Sequence, residues 1–257
     1  MRSLSSRYRS LTRSIRSRLY GAFDCETDII ALHSYRLLYF AIPKVANTSL
    51  KLTFSRILSR ELPASLIGNH PDDRTRRSLF RRDSRPLMYD YEFLLCKHQL
   101  HRFVAYGSFA FVRNPWDRLV SCYTNKLERV DLSQGPAGRD TLKSLSEEGY
   151  FSEDMSFADF ARAVCNIPDE RANRHYRSQH TFITARDGTL LPDRILYFEE
   201  LSERFTELAH EFGLPDVSLP HHKPGRRRDY RSYFDPALRE AVGRRYARDI
   251  ELFGYMF

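Results

Sequence analysis

Three short apolar runs lack a helical period, and each is followed by a segment that has one. Residues 35–42 (YRLLYFAI) end at Pro43 and predict a buried strand feeding a turn. Asn47, Thr48 and Ser49 then offer capping side chains, and Leu50, Leu52, Phe54, Ile57 and Leu58 form a helical face. Residues 109–112 (FAFV) predict a second buried strand closed by Arg113-Asn114-Pro115. Residues 116–130 follow as a helix, with Pro115 suited to its first turn. A third helix is expected at 157–165, and a third strand at 194–198 (RILYF). After it, a helix at 199–212 should stop at Gly213. Asp235, as an N-cap before Pro236, opens a last helix that should run to about Phe253. Strands alternating with helices indicate an α/β class with a mainly parallel sheet.

The remaining segments carry charge rather than period. In the first twenty residues Leu4, Tyr8, Leu11, Ile15 and Leu19 make one apolar stripe among six arginines, with no acid before Asp24. Four readings stay open for it: a helix packed on the domain, a frayed end, a helix lying on an anionic membrane surface, or an organelle transit peptide. Residues 71–85 hold six Arg and suit a surface loop or exposed helix. Residues 134–139 (QGPAGR) and the basic stretch 221–231 (HHKPGRRRDYR) suggest loops. The expected organisation is a basic N-terminal segment over 1–30 and one domain over 31–257. No run approaches the ~18 apolar residues of a membrane span, and no signal-peptide core is visible. The expectation is a cytoplasmic protein, peripheral at the inner face of a membrane if residues 1–20 dock there.

Composition narrows the ligand class. Of 257 residues 42% are apolar, which argues against disorder over most of the chain. The net charge is +8, and 35 of the 41 basic residues are Arg. Arginine is the better fork for phosphate and sulfate oxygens, so an anionic ligand or surface is expected. Cys25, Cys96, Cys122 and Cys165 are scattered, with no C-x-x-C pair and no zinc spacing. They suggest reduced, packed thiols, and no metal is expected.

Two constellations carry chemistry. In Pro43-Lys44-Val45-Ala46-Asn47-Thr48-Ser49 a strand, a short Lys-bearing loop and a helix start would cradle an anion by helix dipole and backbone N–H groups. A plain strand-to-helix turn is the alternative. The loop is not G-x-x-x-x-G-K-[ST], and no such motif occurs in the chain, which disfavours a Walker-type nucleotidase. In FVRNPWDRLVS, Arg113 leaves the C-terminal end of a strand, where α/β sheets place ligands. Ser121 follows eight residues on. Both converging on one phosphate, or Arg113 in a structural salt bridge, are the two readings.

Together these strings resemble the paired cofactor motifs of sulfotransferases that use 3′-phosphoadenosine-5′-phosphosulfate (PAPS), above all the carbohydrate sulfotransferases. The likeness continues through Asn173-Arg174-His175-Tyr176 with Gln179, through Leu196-Tyr197-Phe198-Glu199, and through the ending with Tyr246, Asp249, Ile250 and Phe253-Gly254-Tyr255-Met256-Phe257. It covers roughly residues 35–257. It implies a three-layer P-loop-like fold with a central, mainly parallel sheet, and sulfuryl transfer from PAPS to a carbohydrate hydroxyl. The product would be adenosine 3′,5′-bisphosphate, and no metal would be needed. It further implies that Lys44, Val45, Ala46, Asn47, Thr48 and Ser49 hold the 5′-phosphosulfate, with Lys44 catalytic, and that Arg113 and Ser121 hold the 3′-phosphate. Lys223 and Arg226 would close over the nucleotide, though Pro224-Gly225 departs from the pattern, and a solvated run at Arg226, Arg227 and Arg228 is the alternative. The general base would be His98 or, failing it, His101, with His175 supporting the site; a purely structural role for each histidine, with the base elsewhere, is the alternative.

The Arg-rich stretch at 74–85 would grip an anionic glycan or form a solvated surface. Tyr89, Tyr91, Phe93 and Trp116 would stack on sugars or pack in the core. The alternatives to a sulfotransferase are a small-molecule kinase on the same fold and a non-enzymatic polyanion-binding protein. No nucleic-acid-binding pattern is present, and the sequence does not indicate an oligomeric state.

Overall fold

The computed structural model describes residues 27–58, 92–128, 150–152, 154–215, 219 and 229–257. The N-terminal stripe, the Arg-rich stretch at 71–85, Tyr89, Tyr91, the loop at 134–139, Lys223 and Arg226 lie outside the described residues. Those described up to 42, within 46–111 and within 182–223 form one compact unit. Residues 43–45 and those within 112–181 and 224–257 form a second.

The first unit is built on a five-stranded sheet in the order β3-β1-β2-β4-β5. Its strands are β1 (Asp28–Leu32), β2 (Leu37–Ala41), β3 (Leu94–Leu95), β4 (Gly107–Val112) and β5 (Arg194–Tyr197). At its centre β2 and β4 run parallel, Leu37 opposite Gly107 and Phe40 opposite Ala110. On the other side of β2, β1 is antiparallel to both β2 and β3. The α/β class is as expected, and the strands flanking the Lys44 and Arg113 turns are the parallel pair. β1 has no counterpart among the strands read from the sequence. It spans the expected 30/31 boundary and folds back on β2 through a short turn, with Arg36 left-handed at φ 49°. Its first residue, Asp28, is wholly buried and ion-paired to Lys51 at 2.7 Å.

Every residue of β1 and β2 is buried, as the runs without polar alternation demand. Helix α1 (Asn47–Leu58) is also part of this unit. Its Phe54 meets Tyr39 of β2 with ring centroids 5.3 Å apart, and it meets Phe205 at 6.2 Å. Gly107 is needed for close approach, because a Cβ there would lie 2.6 Å from the Phe212 ring.

The second unit is helical. Helix α2 (Pro115–Tyr123) runs into a π-helical turn at Thr124–Glu128, so the helix expected over 116–130 is α-helical only for its first half. Helix α3 (Phe157–Cys165) matches the expected span and is capped by the Ser156 hydroxyl. A single turn, α4 (His180–Ile183), leads back into the first unit, where α5 (Leu201–Glu211) follows β5. The expected last helix is two, α6 (Pro236–Arg245) and α7 (Ala247–Phe253). The break falls at Tyr246, whose buried hydroxyl donates to the Tyr176 carbonyl at 2.5 Å. Trp116, Phe157, Phe160, Val164, Val242 and Tyr246 belong to one buried cluster in this unit.

Candidate active site

The loop after β2 is bent into a shape that side chains oppose. Lys44 has φ 70° and Ala46 φ 46°. Each left-handed non-glycine residue costs on the order of 1–2 kcal/mol. Among the described residues only Arg36 and Glu92 share this condition. Strain of this kind persists where the surroundings hold it, and it collects at ligand sites. Turns of this type also aim successive N–H groups into one concavity, an anion nest.

The helix start differs from the expected one. Leu50 N–H donates to the Ala46 carbonyl at 3.0 Å, so Ala46 occupies the cap position and Asn47 is already helical. The sequence led us to expect Asn47, Thr48 and Ser49 as capping side chains. Instead the cap is an alanine, which has no side-chain acceptor for the first N–H groups. An anion can take that place, and no acidic residue in the first turn opposes it.

Lys44 is half-buried, and its Nζ donates to Asn125 Oδ1 at 2.9 Å. Its carbonyl accepts from Arg113 Nη1 at 3.0 Å, so the two residues chosen from separate motifs meet directly. The preceding carbonyl, of Pro43, accepts from Arg118 Nε at 3.0 Å.

Arg113 is 3% exposed. Its Nε lies 2.7 Å from Asp117 Oδ2, an i,i+4 ion pair along the start of α2. Both polar groups of its peptide are held by the Gln179 side chain. Arg113 N–H donates to Gln179 Oε1 at 2.9 Å, and Gln179 Nε2 donates to the Arg113 carbonyl at 2.7 Å. Asp249, wholly buried, accepts from Gln179 N–H at 2.7 Å, from His180 N–H at 2.8 Å and from His180 Nδ1 at 2.8 Å. Asn114 caps α2 by accepting from Trp116 N–H at 3.1 Å, and its Nδ2 donates to the Met256 carbonyl at 2.8 Å.

Arg118 is buried, and among the described residues it forms no ion pair. Beyond Pro43 it donates to the Arg177 carbonyl at 2.7 Å and the Arg174 carbonyl at 3.3 Å. Burial pushes its guanidinium below the usual range, against the pull of Tyr246 and Asp249. Nearby, burial would raise the Asp169 carboxyl. Its pair with Arg245 at 2.6 Å and the Ser178 amide at 3.0 Å outweigh that and hold it low.

Ser121 lies on α2, partly buried. Val45 is buried, Ser49 is buried and Thr48 is exposed. His98 and His101 belong to the first unit, on a 3₁₀ turn at Lys97–Arg102 rather than an α-helix. Three residues per turn stacks them, and His101 Nδ1 sits 2.9 Å from the His98 carbonyl. His98 is partly buried and His101 exposed. His175 Nδ1 is 2.7 Å from Asn173 Oδ1. Phe93 packs on His33, and Trp116 belongs to the second unit's core. Among the described residues no group of three or more His, Cys, Asp or Glu is placed to hold a metal, and no helix is long and apolar enough to cross a membrane.

The sequence reading missed Arg118 and Asn125. Arg118 was visible inside FVRNPWDRLVS but was given no task. Asn125 had no signal at all, because its reach depends on the π-helical turn.

The profile of the sulfotransferase family matches residues 27–256. The chain belongs to that family. Carbohydrate sulfotransferase 14 of Danio rerio is 26% identical over 88% of this chain and 62% of its own length. The Homo sapiens protein of the same name is 28% identical over 58% of this chain and 37% of its own length. The chain thus spans less than two thirds of the curated relatives it matches. No solved structure gives a significant match.

Proposed function

We propose that this sulfotransferase moves a sulfuryl group from PAPS to a hydroxyl of a carbohydrate or glycosylated acceptor. The observation that carries the reading is the Lys44 loop: a strained turn, a helix start capped by Ala46, and the backbone contact to Arg113. A donor with two anionic groups is supported by the anion-receptive helix start at Ala46 and by the Arg113 guanidinium at the end of β4. We assign the phosphosulfate to the turn and the first N–H groups of α1, with Lys44 as the cation that would serve it. Arg113 and Ser121 suit the 3′-phosphate. Carbohydrate as the acceptor class rests on the names of the relatives.

When bound, PAPS supplies an activated sulfuryl group on a phosphate leaving group. The work left to the protein is placement and charge. The Lys44 ammonium stabilises charge that develops on the leaving phosphate. His98 takes the proton of the acceptor hydroxyl, with His101 as the replacement if His98 is not the base. Lys223 and Arg226 would cover the nucleotide.

The test is transfer of labelled sulfate from PAPS to a panel of desulfated polysaccharides, with release of adenosine 3′,5′-bisphosphate measured alongside. Labelled product is expected, and His98→Ala should lower turnover roughly 10²–10⁴-fold while donor affinity stays near normal. Absence of transfer, together with equal affinity for adenosine 3′,5′-bisphosphate and ADP, would overturn the proposal.

A further inference from the structure

Arg113 sits where β4 ends, and a peptide at that point ordinarily loses its strand partner. Its N–H and C=O are both buried and need hydrogen bonds. One primary amide supplies both, since Gln179 accepts from the N–H and donates to the C=O. The amide is wholly buried, so it is held by packing as well as by bonds. The Gln179 backbone is in turn fixed from behind. Its N–H goes to Asp249, and the neighbouring His180 gives the same carboxylate two more hydrogen bonds. Ser178, one residue earlier, is held by Asp169 and Arg245. This chain of contacts starts on α7, 136 residues from Arg113 in sequence, and ends on the Arg113 peptide. No contact in it touches the guanidinium itself, so it governs where that side chain begins and not what it pairs with.

We propose that Gln179, held by Asp249, is the positioning residue that sets the Arg113 backbone and through it the grip on the donor's 3′-phosphate. This rests on the PAPS reading. The C-terminal D-I-E-L-F segment would thereby act on nucleotide choice without touching nucleotide. A residue that only stabilised the unit would alter affinity for every nucleotide alike. A residue that positions Arg113 alters the preference for a 3′-phosphate.

The experiment is calorimetric titration of the full chain with adenosine 3′,5′-bisphosphate and with adenosine 5′-phosphate. It covers wild type, Gln179→Met, Gln179→Glu and Asp249→Asn. Gln179→Met keeps the volume and removes both hydrogen bonds to Arg113. It should cut the ratio of the two affinities about tenfold or more. Gln179→Glu keeps the acceptor for the Arg113 N–H and should fall between. Asp249→Asn keeps one acceptor oxygen and should give the smallest loss. If Gln179→Met does not fold, the Glu and Asn variants carry the same comparison. A wild-type ratio retained in the folded variants, with both affinities down together, overturns the positioning role and leaves the PAPS reading intact. A wild type that does not prefer the 3′-phosphate overturns both.

Discussion

The turns after β2 and after β4 leave neighbouring parallel strands, yet they are held in opposite ways. The first is strained and depends on others. Lys44 and Ala46 are left-handed, and the carbonyls of Pro43 and Lys44 take their bonds from Arg118 and Arg113. The second is ordinary in its backbone and is fastened mostly from its own segment, with one distant side chain added. Asn114 caps its helix, Asp117 pairs with Arg113, and Gln179 satisfies the Arg113 peptide. The lesson is that the donors run from the second turn to the first. The two arginines divide the work: Arg113 offsets its charge against a carboxylate, while Arg118 spreads its own over three carbonyl dipoles.

That asymmetry can be broken from either side. The largest effect is expected for Arg118→Met. It leaves the carbonyls of Pro43, Arg174 and Arg177 without this donor, and it should lower unfolding free energy by about 3–5 kcal/mol in urea titration. Arg118→Lys should not restore it, because one ammonium cannot span three carbonyls. A loss under about 1 kcal/mol would show that the first turn keeps its shape unaided.

Lys44→Ala comes next. Removing one donor to the developing charge should lower turnover roughly 10²–10³-fold, about 2.7–4 kcal/mol, with a smaller fall in donor affinity because the backbone N–H groups remain. Equal losses in both would make Lys44 a binding residue only.

Asp169→Asn probes the support behind Gln179 and has a defined pH dependence. The Asp169 carboxyl is held below its ordinary value, so its contribution is complete above that value and disappears as pH falls through the lower, folded one. The variant should be about 1.5–3 kcal/mol less stable near neutral pH, with the gap closing below about pH 4. A gap that persists unchanged in acid would show that the charge on Asp169 is not what matters.

Ala46→Gly should have the smallest effect and the opposite sign. Glycine accepts φ 46° without a Cβ penalty and is the better cap, so stability should rise by about 1 kcal/mol. No gain on melting would mean that the loop relaxes around Ala46.

Much of the site was legible before any coordinates. The runs 35–42 and 109–112 gave two strands of the sheet because a strand buried on both faces has no polar alternation. Pro43 and Arg113-Asn114-Pro115 marked their ends. The helix at 157–165 was legible from its apolar spacing. β1 was not. Its five residues begin with an aspartate that looks like a loop residue until Lys51, 23 positions later, neutralises it. The division of the last helix was equally hidden, since nothing in the local sequence disfavours helix at Tyr246. What divides it is a carbonyl 70 residues away.

The sequence by itself determined the α/β class, the family, and which two turns carry the Lys and the Arg, because these follow from local period and short motifs. Tertiary structure alone decided how those turns are shaped and held. The left-handed Lys44, the Gln179 clamp and the three carbonyls on Arg118 all depend on partners distant in sequence. Buried polar groups must find partners wherever folding brings them, and residue order does not encode that distance.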